Sequence, residues 1–320
     1  MHRRQYLARA GAGVGTLTAL AGCLGDGSDG GGDVADRTGE RALDRATGTL
    51  NEAALALQID DSIDDPETID FDPAEPNGLI DDARDRLETA AAELDADRQS
   101  EVDELRTYAD ILEGLVVVTD TVTDETLGDD VDTVTAAINE DGDLEAATDT
   151  LDDRTARLDT AQTRYGEAEA DFAAFEKERF EDLARIDYTE LEDGIATLGD
   201  VVGSLSTLGD GFESMLEGYE DLEQGRTHLE DERYNQAEMA FVDAESDFAT
   251  ATAVLEGDED PPSGLVSYFE TATCQNERLT AAAAAFEDGA GAAAAGDPIT
   301  AQERQDDGEQ KLEAACDCSQ

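Results

Sequence analysis

The sequence predicts an all-α fold in which long helices pack as antiparallel hairpins. The main observation is two series of apolar residues, spaced seven apart, that together cover most of residues 144 to 219. Such spacing puts every member on one face of a helix and is typical of helices packed lengthwise. The most strand-like run, at 115–118, lies between helical patterns, so we interpret it as the deepest part of a helix. With 39% apolar residues, the chain can bury a core.

The first third of the chain shows four helical stretches. Apolar residues recur at helical spacing from Val34 to Leu57, from Leu79 to Leu94 and again from about 100 to 122. A shorter helix is predicted at about 131–138. Residues 59 to 76 interrupt the pattern with three prolines and eight acids, so we expect a long loop or hinge there.

The two heptad series predict two long helices. The first series consists of Leu144, Leu151, Leu158, Tyr165 and Phe172. It predicts one helix from Leu144 to Leu183, roughly 60 Å long at about 1.5 Å per residue. The second series consists of Leu191, Leu198, Leu205, Phe212 and Tyr219. We expect Gly209 to Gly211 to interrupt the second helix, because glycine is typical of helix ends.

A glycine, an aromatic residue and an alanine twelve positions after the glycine mark the segment from 222 to 255. The residues that carry this pattern are Gly225, His228, Tyr234, Ala237, Phe241 and Ala244. The pattern resembles a single tetratricopeptide repeat, which implies two antiparallel helices at about 218–256. His228 stands where that family has an aromatic ring, and the family's early tryptophan is missing. Asn235 and Glu238 are a candidate capping box for the second helix.

The C-terminal part continues the helical pattern. A helix is predicted from about 265, followed by alanine-rich segments at 281–285 and 292–295. Asp297 and Pro298 predict the start of a final helix that ends near Ala315. We therefore divide the folded chain into an N-terminal helical bundle at 34–183 and a C-terminal hairpin region at 184–320.

The N-terminus has the features of an export signal. Arg3 and Arg4 precede a short apolar run that ends in Leu20, Ala21, Gly22 and Cys23. The paired arginines resemble a twin-arginine signal, and the last four residues resemble a lipobox. This resemblance implies that residues 1–22 are removed and that Cys23 carries a lipid. Residues 23–33, rich in glycine and aspartate, would then tether the folded part to the extracytoplasmic face of the cell membrane.

The charge of the chain is extreme. It contains 81 acidic and 21 basic residues, a formal charge of −60, and loss of residues 1–22 removes three arginines and no acid, which leaves −63. This excess of carboxylates with almost no lysine resembles proteins of extremely halophilic archaea. Molar salt shortens the Debye length to about 3 Å and so screens the self-repulsion. No basic patch is available to neutralise phosphates, which argues against a nucleic-acid partner.

Three cysteines remain after Cys23. In an exported protein we expect a disulfide between Cys274 and either Cys316 or Cys318, which would join the last helix to the preceding unit. A metal site built from the same three cysteines is the alternative, although it lacks the two-residue spacing of zinc sites.

No residue pattern indicates a catalytic site or a cofactor. His228 is the one histidine left after residues 1–22, and its place in the repeat favours a packing role. Because helix-hairpin stacks commonly bind peptides or proteins, the sequence predicts a non-enzymatic, lipid-anchored binding scaffold. The alternative is a ligand-binding lipoprotein that serves a membrane transporter, with its site near residues 59–76; an enzyme ranks third.

Overall fold

Helices make up almost all of the protein. The computed structural model describes residues 30–57, 69–139, 143–258 and 260–319, and these contain ten α-helices and no strand. The helices are α1 (Gly30–Ala56), α2 (Ala74–Glu93), α3 (Gln99–Val122), α4 (Leu127–Asn139), α5 (Leu144–Ala173), α6 (Lys177–Ala184), α7 (Tyr188–Glu230), α8 (Tyr234–Leu255), α9 (Val266–Ala294) and α10 (Pro298–Cys316). The predicted all-α fold is confirmed, and consecutive long helices pack against each other as hairpins.

In the N-terminal half, α1 and α2 form a hairpin, α2 packs on α3, and α3 packs on α5. The strand-like run is helical, as predicted: Leu115, Val116 and Val118 lie in α3 and are at most 1% exposed. Contacts with several helices bury α3 on most sides, which explains why its sequence is apolar beyond a single stripe.

The prediction of a single helix from Leu144 to Leu183 is wrong. The chain leaves the helix after Ala173 and begins α6 at Lys177, with extended backbone at Glu176. The break redirects Phe180 into the core, where its ring contacts four other rings. These are Tyr108, Phe172, Phe175 and Tyr188, at centroid distances of 5.2 to 5.8 Å. Aromatic packing with distant helices therefore ends the helix, and neither glycine nor proline marks the place.

The predicted interruption at Gly209 to Gly211 is also wrong, because α7 continues through both glycines for 43 residues. A Cβ atom at Gly211 would lie only 2.6 Å from Leu255 Cδ2, so this glycine makes room for a neighbouring helix. The first part of α7 packs against α5 and the later part against α8. One helix thus belongs to both halves of the protein.

The C-terminal half is an up-and-down series in which α7, α8, α9 and α10 each pack on the next helix. The start of α10 agrees with prediction, since Asp297 caps it by accepting a hydrogen bond from Thr300 N at 3.2 Å. The capping box at Asn235 is wrong: α8 begins at Tyr234, and Asn235 lies inside the helix. Its N-cap residue, Arg233, makes no side-chain cap bond.

Candidate functional site

A surface groove runs between α3 and the segment formed by the end of α5 and the start of α6. It comprises two adjoining cavities of about 650 and 410 Å³, and Asp171 lines both. The α3 side of the groove extends from Asp103 to Val117, which is about 21 Å at about 1.5 Å per residue. Because α3 and α5 are antiparallel, the two walls follow each other over this whole length.

The floor of the groove is apolar and shallow at its centre. Gly114 allows the closest approach of the helices, since a Cβ atom there would lie 3.2 Å from the carbonyl oxygen of Arg164. Val117 and Ala168 lie beside Gly114, and the half-buried Phe175 lies at the opposite end. The Phe175 ring rests on Phe180, with centroids 5.3 Å apart. The floor therefore combines small residues with one partly exposed aromatic ring on a rigid support.

Carboxylates dominate both rims. The seven acidic residues that line the two cavities are Asp103, Glu104, Asp110, Glu113, Glu167, Asp171 and Glu176. Only two basic residues line them, and these lie at opposite ends. Arg179 binds Glu104 at 2.6 Å, and Arg164 binds Glu167 at 3.0 Å. The groove thus carries an excess of negative charge, most of it between the two arginines.

Some rim carboxylates are held by ion pairs and others make none within the described part of the chain. Arg84 on α2 binds Asp110 at 2.6 Å and Glu113 at 2.7 Å, and its hydrogen bond lowers the pKa of Glu113. Asp171 and Glu176 appear in no ion pair of the described residues, and both are exposed. These two carboxylates flank Phe175 and are the ones available to a partner.

Another cavity, separate from the groove, lies beside the segment that follows residue 68. It has a volume of about 570 Å³ and is lined by Ile69, Asp70, Phe71, Asp120, Thr123, Asp124 and Glu125. Burial and the charge of Asp124 raise the pKa of Asp120. Burial alone would raise the pKa of Asp124 too, but hydrogen bonds from Thr126 and the charges of Arg154 and Arg157 lower it overall. Residues 58–68, which form most of the predicted loop, lie outside the described residues.

The three cysteines in the described part of the chain form one disulfide bond. Cys274 in α9 is joined to Cys318, just after α10, with Cα atoms 5.8 Å apart, which is one of the two pairings left open by the sequence. Cys316 keeps a thiol that contacts the carbonyl oxygen of Leu312. A disulfide removes two of the three thiolates needed for the alternative metal site. Across the described residues, no group of three or more His, Cys, Asp or Glu side chains has the geometry to hold a metal ion.

The residues of the tetratricopeptide-like pattern lie on the α7–α8 hairpin. A Cβ atom at Gly225 would lie 2.5 Å from Phe241 Cε1, and Ala237 and Ala244 are completely buried. His228 is half-buried, and its Nδ1 atom has no hydrogen-bond partner within the described residues. Tyr234 is half-buried at the start of α8.

The same packing continues beyond the predicted unit at 218–256. Gly218 faces Phe248 and Gly211 faces Leu255, so glycines spaced seven apart on α7 oppose large residues spaced seven apart on α8. Of the two helices, α7 has 43 residues and begins well before the predicted unit, at Tyr188, whereas α8 lies inside it. The pattern therefore reflects a long hairpin with a regular glycine ladder.

The export-signal residues Arg3, Arg4, Leu20, Ala21, Gly22 and Cys23 lie outside the described residues. Within the described ranges, none of the helices combines the length and the apolar character that a membrane span requires.

Comparisons with protein-family models, with curated proteins and with solved structures give no match to this chain. The candidate sites are therefore defined by their own geometry.

Sequence reasoning missed the groove between α3 and α5. Its walls come from residues 103–117 and 164–179, which are distant in the chain and meet only because the two helices are antiparallel. The one sequence feature that could have indicated the groove was Phe175, an aromatic residue three positions after the last member of the first heptad series. That offset places Phe175 at the edge of the buried stripe.

Proposed function

We propose that this chain is a lipid-anchored, extracytoplasmic scaffold that binds a protein or peptide partner without catalysing a reaction. The observation that carries the proposal is the groove between α3 and α5, with its apolar floor, its charged rims and its length of about 21 Å. Peptide-binding grooves on helical proteins have these properties: apolar positions supply contact area, and charged rims supply specificity.

The lipobox-like sequence adds the location to this proposal. The tether predicted at 23–33 is shorter than expected, because α1 already begins at Gly30. A lipid at Cys23, followed by this shorter tether, would present the helical body at the membrane surface while leaving its grooves accessible. The test of this part is Cys23→Ser, which we expect to move the protein from the membrane fraction to the medium or to leave it unprocessed. If the variant stayed in the membrane fraction after processing, the lipid assignment would be wrong.

The binding site is tested by site-specific photo-crosslinking on intact cells in molar salt. A photoreactive residue at Val117, which is half-buried in the groove, should give a discrete adduct with one partner. Ala170→Trp should abolish this adduct, because Ala170 is an exposed residue that lines the groove and an indole there fills it.

The matched control is Ala249→Trp, which makes the same change at an exposed position of α8 outside the groove. The adduct should persist in this variant. If both variants keep the adduct or both lose it, the groove is not the binding site.

The alternative, a ligand-binding lipoprotein that serves a transporter, is supported by the cavity at Ile69–Phe71. Four carboxylates and one aromatic ring converge there, an arrangement that suits a small organic cation. Phe71→Ala should then weaken uptake of a cationic solute by whole cells, whereas Ala170→Trp should leave uptake unchanged. Unaltered uptake in the Phe71→Ala variant would rule this alternative out.

A further inference from the structure

The groove between α3 and α5 also indicates what kind of partner it binds, an inference that rests on the proposed function. We infer that its occupant is an amphipathic helix of about four turns that carries lysine or arginine residues along the flank of its apolar face that lies next to α5 and α6. The shape of the groove, the charge of its rims and the exposed pair beside Phe175 each support this assignment.

Shape comes first. Two antiparallel helices that approach closely at Gly114 leave a trough along their line of contact, and a third helix fits such a trough by ridge-into-groove packing. The trough extends over 14 residue steps of α3, from Asp103 to Val117, which matches about four turns of a bound helix. Small floor residues permit close approach, and Phe175 gives one end a larger apolar contact.

The negative charge of the groove favours basic residues beside the apolar face of the partner. Seven carboxylates against two arginines line the trough, but each of the four on the α3 edge already pairs with an arginine, so a basic helix gains its net attraction along the α5–α6 edge. Asp171 and Glu176 are not engaged in ion pairs within the described residues, so they can bind a partner without breaking an existing contact. Phe175 lies between them, and a basic side chain there would meet a carboxylate and the ring together.

A second copy of this chain does not have these properties. The chain carries 81 acids and 21 bases, so its exposed helix faces would bring carboxylates against the carboxylates of the groove. Like charges at an interface oppose association. The occupant is therefore a different, basic protein segment.

The test is a charge swap with two synthetic probes. Both are 14-residue amphipathic helices with the same apolar face; one has lysine and the other glutamate at every flanking position. Fluorescence anisotropy of each labelled peptide with the full-length chain, at one fixed salt concentration, gives the preference for lysine over glutamate. The wild-type chain should prefer the lysine peptide by at least tenfold.

The double variant Asp171→Lys with Glu176→Lys should lower or reverse that preference. The control is Asp243→Lys with Glu303→Lys, two exposed acids outside the groove that change the net charge by the same amount. The control should keep the wild-type preference to within about threefold. Helical circular dichroism of both double variants should equal that of the wild type, since all four positions are exposed.

Equal shifts of preference in the two double variants would overturn the inference, because net charge alone would then explain them. Failure of the wild-type chain to bind the lysine peptide would overturn it too. The proposed function can stand without the inference: if Ala170→Trp still abolishes the cellular adduct while the lysine peptide does not bind, the groove binds a partner of different chemistry.

Discussion

Between residues 36 and 186, arginine side chains form ion pairs between neighbouring helices. Between residues 209 and 316, glycines lie opposite large apolar side chains of the neighbouring helix. In the first region Arg84 joins α2 to α3, Arg179 joins α6 to α3, and Arg154 joins α5 to α4. In the second region Gly211, Gly218 and Gly225 on α7 receive Leu255, Phe248 and Phe241 of α8. Both regions are antiparallel hairpins, so one architecture is stabilised here by two kinds of interhelical contact.

The charged side chains between helices mainly attract each other in the first region and mainly repel each other in the second. Residues 188 to 320 contain only five lysines or arginines, which are Arg226, Arg233, Arg278, Arg304 and Lys311. Along the α7–α8 hairpin, burial raises the pKa of Glu217, Asp221 and Asp247; the charge of Asp247 raises the first two further, and the charge of Asp243 raises that of Asp247. Glu213, Glu220 and Asp243 contribute to the same repulsion. The glycine ladder therefore has to offset repulsion that arginines relieve in the first region.

We expect the largest loss of stability from removing an aromatic ring that lies opposite a glycine of the ladder. Phe241 is completely buried and stacks on Phe286 with centroids 5.3 Å apart. Phe241→Ala should lower the free energy of unfolding by about 3–5 kcal/mol, measured by chemical denaturation in molar salt. The control is Met239→Ala, since Met239 is 67% exposed on the same helix. We expect a change within about 0.5 kcal/mol for the control, and equal effects of the two substitutions would contradict the ladder.

In the first region, the corresponding test removes Arg154, the one arginine that is buried among the described residues. Arg154 is 5% exposed and binds Asp130 at 2.5 Å and Asp124 at 3.5 Å. Arg154→Met should cost about 3–5 kcal/mol, because two partly buried carboxylates lose their buried partner and keep only the more exposed Arg157. Arg157 binds Asp124 as well but is half exposed, so Arg157→Met should cost at most about 1 kcal/mol. If Arg157→Met lowered the free energy of unfolding as much as Arg154→Met, burial of Arg154 would not explain the cost of losing it.

Glycine substitutions give a smaller effect with opposite signs at two positions of one helix. A Cβ atom at Gly218 would lie 2.7 Å from Phe248 Cε1, so Gly218→Ala should cost about 1–3 kcal/mol by overpacking. A Cβ atom at Gly203 has no neighbour within 4 Å. Gly203→Ala should therefore stabilise α7 by about 0.5–1 kcal/mol, the difference in helix propensity. Thermal unfolding of both variants in molar salt checks the pair; the same sign for both would refute the packing role of Gly218.

These comparisons show which parts of the structure can be predicted from the sequence. Local periodicity predicted the helices and the buried run at 115–118, and Asp297 predicted a helix start, because each depends on residues close together in the chain. The break between α5 and α6 depends on rings from distant helices around Phe180. The continuity of α7 through Gly211 depends on Leu255, which is 44 positions away, so glycine was interpreted as a terminator when it serves close packing.

The candidate groove could not be predicted for the same reason. Its rims pair residues near 103–117 with residues near 164–179, and a sequence with so many acids gives no reason to select Asp171 or Glu176. The cysteines were more informative, since only three remained and the structure joins Cys274 to Cys318. Rare residues constrain long-range contacts, whereas abundant ones do not.

The most direct test of the comparison between the two regions is amide hydrogen exchange of the full chain at pH 7 and pH 5 in the same molar salt, corrected for intrinsic exchange rates. A carboxylate whose pKa is raised by folding adds stability as the pH falls toward its folded pKa, so protection of α8 should increase at pH 5. A carboxylate whose pKa is lowered by folding, such as Glu113, costs stability only below its ordinary value of about 4. Protection of the amides within about one turn of Glu113 should therefore stay the same; Asp120, near the end of α3, has a raised pKa and is left out of this comparison. A fall of protection in α8 at pH 5, or an equal rise at the amides around Glu113, would contradict the account.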